Sequence, residues 1–450
     1  MTNLLKNPTS RKKFLIFVGD VLLIALSILV VIFLVKIFQR YYLLRILKRP
    51  LKFHSLWASI IVYLIVLYVF EMYEIRRRQG KLYIFTSLLL VSSVSFLVMF
   101  SSAKILRINQ TTMVVIFLFF IFSAFFLFFW RWIFMKIFLG SGFFKKNVLF
   151  VGKDSLIGEI LKIAPSSDYK IFIEDPPPLD VKKIDNLIAS SQIDIIVTPF
   201  EEKLSQEFIR TLYNHKLKGI EIYDSEAFYE ILTRKFPISH YLAKKEVPYI
   251  GVSFNPLFRN FKRMVDIAGA FLLLLILFPL FLVIFILINL TSGKPVFFIQ
   301  ERLGLNQKPF KLVKFRTMIK EAESQNGPQW ASKNDERVTK LGRFLRRFRL
   351  DELPQLINVL RGDLSFVGPR PIRRYFADLI EEKIPFYSLR FTVKPGLTGW
   401  AQVHYDYGGS IEGHIEKFQY DLYYIKRASL FLDLFIILKT LQTIIRRPGY

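Results

Sequence analysis

FKRMVDIAGAFLLLLILFPLFLVIFILINL, residues 261–290, decides what kind of protein this is. From Ile267 to Leu290 it carries no charged side chain. A helix crosses a bilayer core with about 20 apolar residues, so length alone permits a span. Pro279, near the centre, removes one main-chain donor and crowds the preceding turn, which favours a kink. A complete crossing would put Glu301 and everything after it on the opposite side from what precedes the run. A helix–break–helix over about 265–290 that enters and leaves one leaflet keeps both flanks together, and this re-entrant arrangement is the one expected. Lys262 and Arg263 stand at its entrance, where lipid headgroups lie, and Asp266 is placed to pair with one of them or with a downstream arginine.

The rest of the composition agrees with a membrane setting. The chain has 450 residues, enough for two or three domains, and is 52% hydrophobic with 47 phenylalanines. Its formal net charge is +27. Nucleic acid is one partner for such a surplus; an anionic membrane face and anionic substrates are the other. Much of the basic charge brackets apolar runs, and no zinc-finger or base-stacking motif appears, so anionic lipids are expected and nucleic acid is not. The absence of cysteine excludes disulfides and thiolate metal sites.

Four further apolar runs, residues 14–38, 56–73, 83–100 and 113–134, predict an α-helical transmembrane bundle over 1–145. The first lacks a small-residue cleavage site and reads as an anchor. Lys6, Arg11, Lys12 and Lys13, then Arg76, Arg77, Arg78 and Lys81, then Lys136, Lys145 and Lys146 put those flanks in the cytoplasm. The first loop, with Arg40, Arg45, Lys48, Arg49 and Lys52, votes the other way. Asp20 inside the first run is read as an assembly residue.

Residues 146–250 read as a degenerate Rossmann-like α/β domain. NVLFVG (147–152) is a strand entering a glycine turn, IDIIVT (193–198) a buried parallel strand, and 220–223 a third. Helices are expected over 156–163, 180–190 and 205–216. A dinucleotide fingerprint needs glycines where the pyrophosphate approaches. Here Lys153, Asp154 and Ser155 stand between Gly152 and Gly158, so the motif is incomplete and scaffolding is the favoured role. Pro176, Pro177 and Pro178 form a rigid turn.

The chemistry lies further on, in TKLGRFLRRFRLDELPQLINVLRGDLSFVGPRP, residues 339–371. It sets the adjacent acids Asp351 and Glu352 between an arginine cluster (Arg343, Arg346, Arg347, Arg349) and a Gly-Pro-Arg-Pro turn. Carboxylates flanked by guanidiniums suit work on a phosphate diester: one acid can attack or hold a metal while the arginines neutralise oxygen charge. Asn334 to Arg337 is a good helix start, and Asp351, Glu352 and Pro354 open a second helix. Three other blocks accompany this stretch: PVFFIQER (295–302) with KFRTM (314–318), YSLR (387–390) with VKPGLTGWAQV (393–403), and YDYGG (405–409) before an amphipathic tail.

Together these blocks, over about residues 262–446, resemble the bacterial sugar transferase family, the polyprenyl-phosphate phosphoglycosyl transferases. The residues before them resemble, more weakly, the N-terminal extension of the larger members. The resemblance implies that residues 251–450 form a mainly α catalytic domain. It carries a re-entrant membrane helix and interfacial amphipathic helices, at the cytoplasmic face of the bacterial cytoplasmic membrane, in a multi-pass protein. It implies transfer of a hexose-1-phosphate from a nucleotide-diphosphate sugar, a UDP-hexose by default, to undecaprenyl phosphate. A phosphosugar-aspartate is the intermediate and nucleoside monophosphate is released, in the first membrane step of exopolysaccharide, capsule or O-antigen synthesis. Asp351 would be the nucleophile, held ionised, and Glu352 a ligand of Mg²⁺ (Mn²⁺ substituting), with Asp363 a second acid.

Arg302, Lys314, Arg316, Arg346, Arg347, Arg370, Arg390 and Lys394 would contact phosphate. Phe278 departs from the serine that often precedes the family's membrane proline. Trp400 is read as packing and His404 as a polar surface residue; in the tail, Arg446 and Arg447 would reach lipid phosphates. Two other readings stay open: a lipid diphosphate hydrolase, and a non-catalytic membrane assembly or regulatory protein. The oligomeric state is also open, a homodimer being the commonest symmetric assembly.

Overall fold

The computed structural model describes residues 8–40, 53–70, 72–73, 81–102, 108–138, 145–152, 154–164, 169–174, 181–199, 205–244, 248, 256–319, 337–405 and 410–446. The expected Pro176–Pro178 turn, Lys153, the 334–336 helix start, the glycines at 408–409 and Arg447 lie outside the described residues, as does the Arg446 side chain. The chain divides into two compact units, Met1–Phe228 and Tyr229–Tyr450.

In the first unit all four apolar runs are helical: α1 (Pro8–Arg40), α2 (Phe53–Val69), α3 (Lys81–Ser101) and α4 (Gln110–Phe138). Their interior mixes fully buried apolar residues such as Ile16, Leu67 and Phe134 with serines, while other large apolar residues face outward. Ser27, Ser55, Ser59, Ser87, Ser95 and Ser123 are fully buried, while Leu22, Leu29, Phe33 and Trp57 face outward. Small polar residues between helices and large apolar ones on the outer face suit helices surrounded by lipid. Ser27 returns a hydrogen bond to the Leu23 carbonyl and Ser59 to that of Ser55, and Tyr63 meets Ser92 at 3.0 Å. Asp20 of α1 accepts from Arg131 of α4 at 2.6 Å, both side chains fully buried. Gly19 beside it leaves room for the Trp130 ring, which lies 2.3 Å from where a Cβ would stand. Phe14–Ile37 and Gln110–Ile137 are long and apolar enough to cross a membrane; α2 and α3 hold shorter apolar helices.

The same unit contains a four-stranded parallel sheet of β1 (Lys146–Val151), β2 (Tyr169–Glu174), β3 (Ile195–Thr198) and β4 (Glu221–Asp224), in the order β2-β1-β3-β4. The helices α5 (Ser155–Ile163), α6 (Val181–Ser191) and α7 (Gln206–Leu217) connect the strands within a residue or so of the expected bounds. The central strands β1 and β3 are apolar and buried on both faces, pairing Val148 with Ile195 and Leu149 with Ile196. β2 went unpredicted because YKIFIE is an edge strand with exposed, mixed residues, so no buried run marks it. Nothing lies within 4 Å of a Cβ built at Gly158.

The second unit begins inside α8 (Ser225–Thr233) and continues through α9 (Ile238–Lys244). The expected boundary near 250 falls later than this division, because Phe236 and Ile238 are buried in the second unit's core with Phe376, Tyr387, Trp400 and Phe418. α10 (Pro256–Ser292) is followed by the antiparallel hairpin β5 (Phe297–Leu303) and β6 (Pro309–Phe315). Then come α11 (Lys340–Arg347), α12 (Gln355–Arg361), β7 (Ser365–Val367), α13 (Arg374–Glu381) and β8 (Gly396–Thr398), the two strands pairing in parallel. α14 (Trp400–His404), α15 (Ile411–Arg427) and α16 (Leu430–Arg446) complete it.

The expected break at Pro279 is not a gap: α10 runs as one helix through it, since a proline removes a single main-chain bond while its neighbours keep theirs. Only 11% of its most apolar window is buried. The buried positions nonetheless come from both halves. Ala270 and Leu274 pack with Leu356, Val359 and Leu364; Phe281, Ile284 and Ile288 pack with Phe315 and Leu345.

Candidate active site

α11 starts at Lys340, where Thr339 caps it by accepting from Gly342 N at 2.9 Å, and Val338 ahead of it bridges to Met318. Gly342 is obligatory there: a Cβ would stand 2.1 Å from the Thr317 carbonyl oxygen. The helix ends at Phe348, and Arg349 takes a left-handed conformation, φ +55°, that reverses the chain. A 3₁₀ turn, Leu350–Glu352, then delivers both acids ahead of α12.

Arg370 donates to Glu352 Oε1 at 2.6 Å, and Lys314, from β6, at 3.4 Å. Burial alone would push the Glu352 carboxyl up, but Arg370 and Lys314 outweigh it and hold it well below the usual carboxylate range. Asp351 is 8% exposed, and no hydrogen-bond partner holds its carboxylate among the described residues. Burial and the Glu352 charge push its pKa up; Lys314, Arg346 and Arg370 pull it back. Of the expected Mg²⁺ and arginines holding Asp351 ionised, Arg346 and Arg370 do act in that direction, while the guanidinium and ammonium bonds go to Glu352. The pair is thus divided into a committed acid and a buried, uncommitted one. Burial also lowers the Lys314 pKa.

Arg370 is positioned through its main chain. Gly368 N donates to the Thr398 carbonyl and Gly396 N to that of Pro369, both at 2.9 Å, fixing the turn to β8. Arg346 donates through Nε to Thr317 Oγ1 at 2.9 Å. Arg302 donates to Gln300 and, at 3.5 Å, to the Pro371 carbonyl, and its charge reaches Lys314.

Other expected phosphate contacts lie elsewhere. Arg316 is buried and donates to the Ser292 and Gly293 carbonyls, closing the C-terminal end of α10. Arg390 is buried against Asp421, Tyr387 and the Arg370 carbonyl, so it supports the turn rather than facing substrate. Arg347 is exposed, its guanidinium 5.8 Å from the Phe348 ring centre. Lys394 and Asp363 belong together at the other end of α12.

The expected headgroup ligands are engaged within the protein. Lys262 pairs with Asp433, and Arg263 donates to the Val359 and Leu360 carbonyls. Asp266 pairs with neither; it accepts from Ser365 Oγ at 3.1 Å and Phe366 N at 3.0 Å. Trp400 packs as expected, stacked on Tyr423. His404 is not simply a surface residue, since it meets the Trp400 carbonyl and Lys439.

Two residues absent from the expected phosphate contacts also act here. Arg349, a member of the arginine cluster, joins the charges acting on both acids from its left-handed position after α11. Lys417 of α15 stands near Arg370, its ammonium lowered to about 8 by burial and that arginine; nothing in its local sequence signals this.

Among the described residues no three His, Cys, Asp or Glu gather as an all-protein metal cage. Asp363 accepts from Asn358 at 3.2 Å and does not share the contacts of Glu352. Two adjacent carboxylates nevertheless fit Mg²⁺ in its common mode, with one or two protein ligands completed by substrate phosphate and water.

Comparison with known proteins gives the same outline. Residues 257–447 match the family model described as bacterial sugar transferase. A UDP-N-acetylgalactosamine-undecaprenyl-phosphate N-acetylgalactosaminephosphotransferase of Aeromonas hydrophila is 38% identical over 275 residues, 61% of this chain and 62% of that protein. A UDP-glucose:undecaprenyl-phosphate glucose-1-phosphate transferase of Escherichia coli is 42% identical over 196 residues, 43% of this chain and 42% of that protein. EpsL, an uncharacterised sugar transferase of Bacillus subtilis, is 42% identical over 188 residues, which are 42% of this chain and 89% of that protein. The chain thus spans less than two thirds of the length of the first and second of these three.

Proposed function

The chain belongs to the bacterial sugar transferase family, and from that premise we propose that it transfers a sugar-1-phosphate from a UDP-sugar to undecaprenyl phosphate. The observation that carries this reading is the division of labour in the acid pair: Asp351 uncommitted, Glu352 held by Arg370 and Lys314.

An Asp351 oxygen attacks the sugar-linked phosphorus, the bond to the nucleoside monophosphate oxygen breaks, and the monophosphate leaves. The resulting phosphosugar-aspartate is attacked at the same phosphorus by the phosphate oxygen of the polyprenyl acceptor. The aspartyl bond breaks and the carboxylate is restored. Arg370, Lys314, Arg349 and Arg346 surround the site with positive charge that stabilises the oxygens crowded around phosphorus in both steps. Glu352 would hold Mg²⁺ when the ion is bound, and the chemistry it would supply is further charge neutralisation on the leaving group.

Both halves of α10 pack on this one unit, and Arg316 ties the helix end to β6. A helix crossing the bilayer would carry its two ends roughly 30 Å apart onto opposite faces. Packing from both halves therefore supports a re-entrant placement that keeps Asp351 at the cytoplasmic face, within reach of cytoplasmic UDP-sugars. α1 to α4 supply the multi-pass part, in the bacterial cytoplasmic membrane. The relatives' names point to UDP-glucose and UDP-N-acetylgalactosamine as the donors to try first.

The test incubates membranes containing the protein with undecaprenyl phosphate, Mg²⁺ and each radiolabelled UDP-sugar. Label should enter the lipid fraction with release of UMP, and Asp351→Asn should abolish both. Label transfer undiminished in Asp351→Asn refutes the mechanism; label released only as free sugar phosphate refutes the transfer.

A further inference from the structure

A second gathering of positive charge lies beyond the far end of α12. Gly362 ends that helix with φ +95°, and the point where its Cβ would stand is 3.2 Å from an Arg263 guanidinium nitrogen and 3.4 Å from Lys394 Nζ. Glycine leaves the space between the two cations open. Arg263 is held there by the Val359 and Leu360 carbonyls, bonds that fix the guanidinium without cancelling its charge. Lys394 has no hydrogen-bond or ion-pair partner among the described residues. Burial, Arg263 and Arg259 lower its pKa, while Asp266 and Asp363 oppose them. Both carboxylates already accept hydrogen bonds elsewhere, Asp266 from Ser365 and Phe366 and Asp363 from Asn358. An anion over Gly362 would give the unpartnered ammonium the counter-charge it lacks.

The position of the cluster indicates which anion. Arg259 and Arg263 sit on the first turns of α10, among the exposed Leu257, Phe261, Met264 and Val265, where its apolar surface begins. The seven residues of α12, about 10 Å of helix, separate Gly362 from the turn that carries the acid pair, so an anion here is not the reacting phosphate. Long apolar side chains on one side and unsatisfied positive charge on the other match a phosphodiester with acyl chains attached.

We propose that Lys394, Arg263 and Arg259 form a binding site for the phosphate of a membrane phospholipid, seated over Gly362 with its acyl chains along the start of α10. This site is independent of the transfer reaction, and its test reads binding, not turnover.

Purified full-length protein in non-ionic detergent is titrated with phosphatidylglycerol, and bound lipid is counted by native mass spectrometry. Inorganic phosphate and undecaprenyl phosphate are titrated in parallel. Lys394→Gln should weaken phosphatidylglycerol at least fivefold, and Arg259→Gln, on an exposed turn, two- to threefold. Lys383→Gln, exposed just past the end of α13, should leave it unchanged. Equal binding by wild type and Lys394→Gln overturns the proposal. So does inorganic phosphate binding as tightly as the lipid with the same dependence on Lys394, which would make this a free-phosphate site. A tenfold preference for undecaprenyl phosphate over phosphatidylglycerol would make it the acceptor's seat and equally overturn the assignment.

Discussion

Arg390 reaches across to Arg370, donating to its main-chain carbonyl at 3.0 Å, while the same nitrogen donates to Asp421 at 2.8 Å. The side chain of Arg370 then holds Glu352 at 2.6 Å. Asp421 of α15 therefore acts on the acid pair through two arginines. Asp421→Asn should lower the transfer rate by about tenfold to a hundredfold with a smaller change in KM, because a misplaced Arg370 costs most in the transition state. Breaking a buried pair also destabilises by about 3–5 kcal/mol, visible as a lower Tm.

Lys314 stabilises the ionised form of Asp351, so removing its charge raises that carboxyl further. Asp351 attacks only when deprotonated. The acid limb of kcat/KM should therefore move to higher pH in Lys314→Gln, a shift measurable in a pH–rate profile of UMP release.

Glu352 gives the opposite signature in stability. Its folded pKa is depressed, so its contribution is complete above the unfolded value, about 4.3, and is lost as pH falls toward the folded one. In Glu352→Gln, melting temperature should fall less steeply below about pH 4 than in wild type. The raised pKa of Asp351 works against this slope in both proteins, its ionisation costing stability as pH rises.

At Gly342 a methyl group meets main chain, the Thr317 carbonyl, which cannot swing away as a side chain would. Gly342→Ala should cost at least about 2 kcal/mol and reduce transfer by moving the arginines of α11, checked by thermal unfolding and the label assay.

Within α1 and α4, Asp20→Ala should leave Arg131 buried without its carboxylate and destabilise the chain by about 3–5 kcal/mol. Asp20→Ala combined with Arg131→Leu should recover much of that loss, measured by thermal aggregation in detergent.

The apolar helices, the parallel sheet and the acid pair were legible because each rests on local pattern: long uncharged runs, buried β-branched segments, and Asp351 beside Glu352. The cations were not, because an arginine's letter does not say which way it turns. Arg316 and Arg390 stand inside motifs as conspicuous as that of Arg370, yet one closes a helix end and the other supports a turn from behind. Lys262 looked like a headgroup ligand until Asp433, distant in sequence, was placed against it. The edge strand β2 escaped for the same reason: half of its environment comes from a neighbour that its own residues do not announce.

α10 stays mostly uncovered by protein while both of its halves pack against the fold that holds Asp351. Chemistry and greasy foothold therefore travel as one inheritable piece.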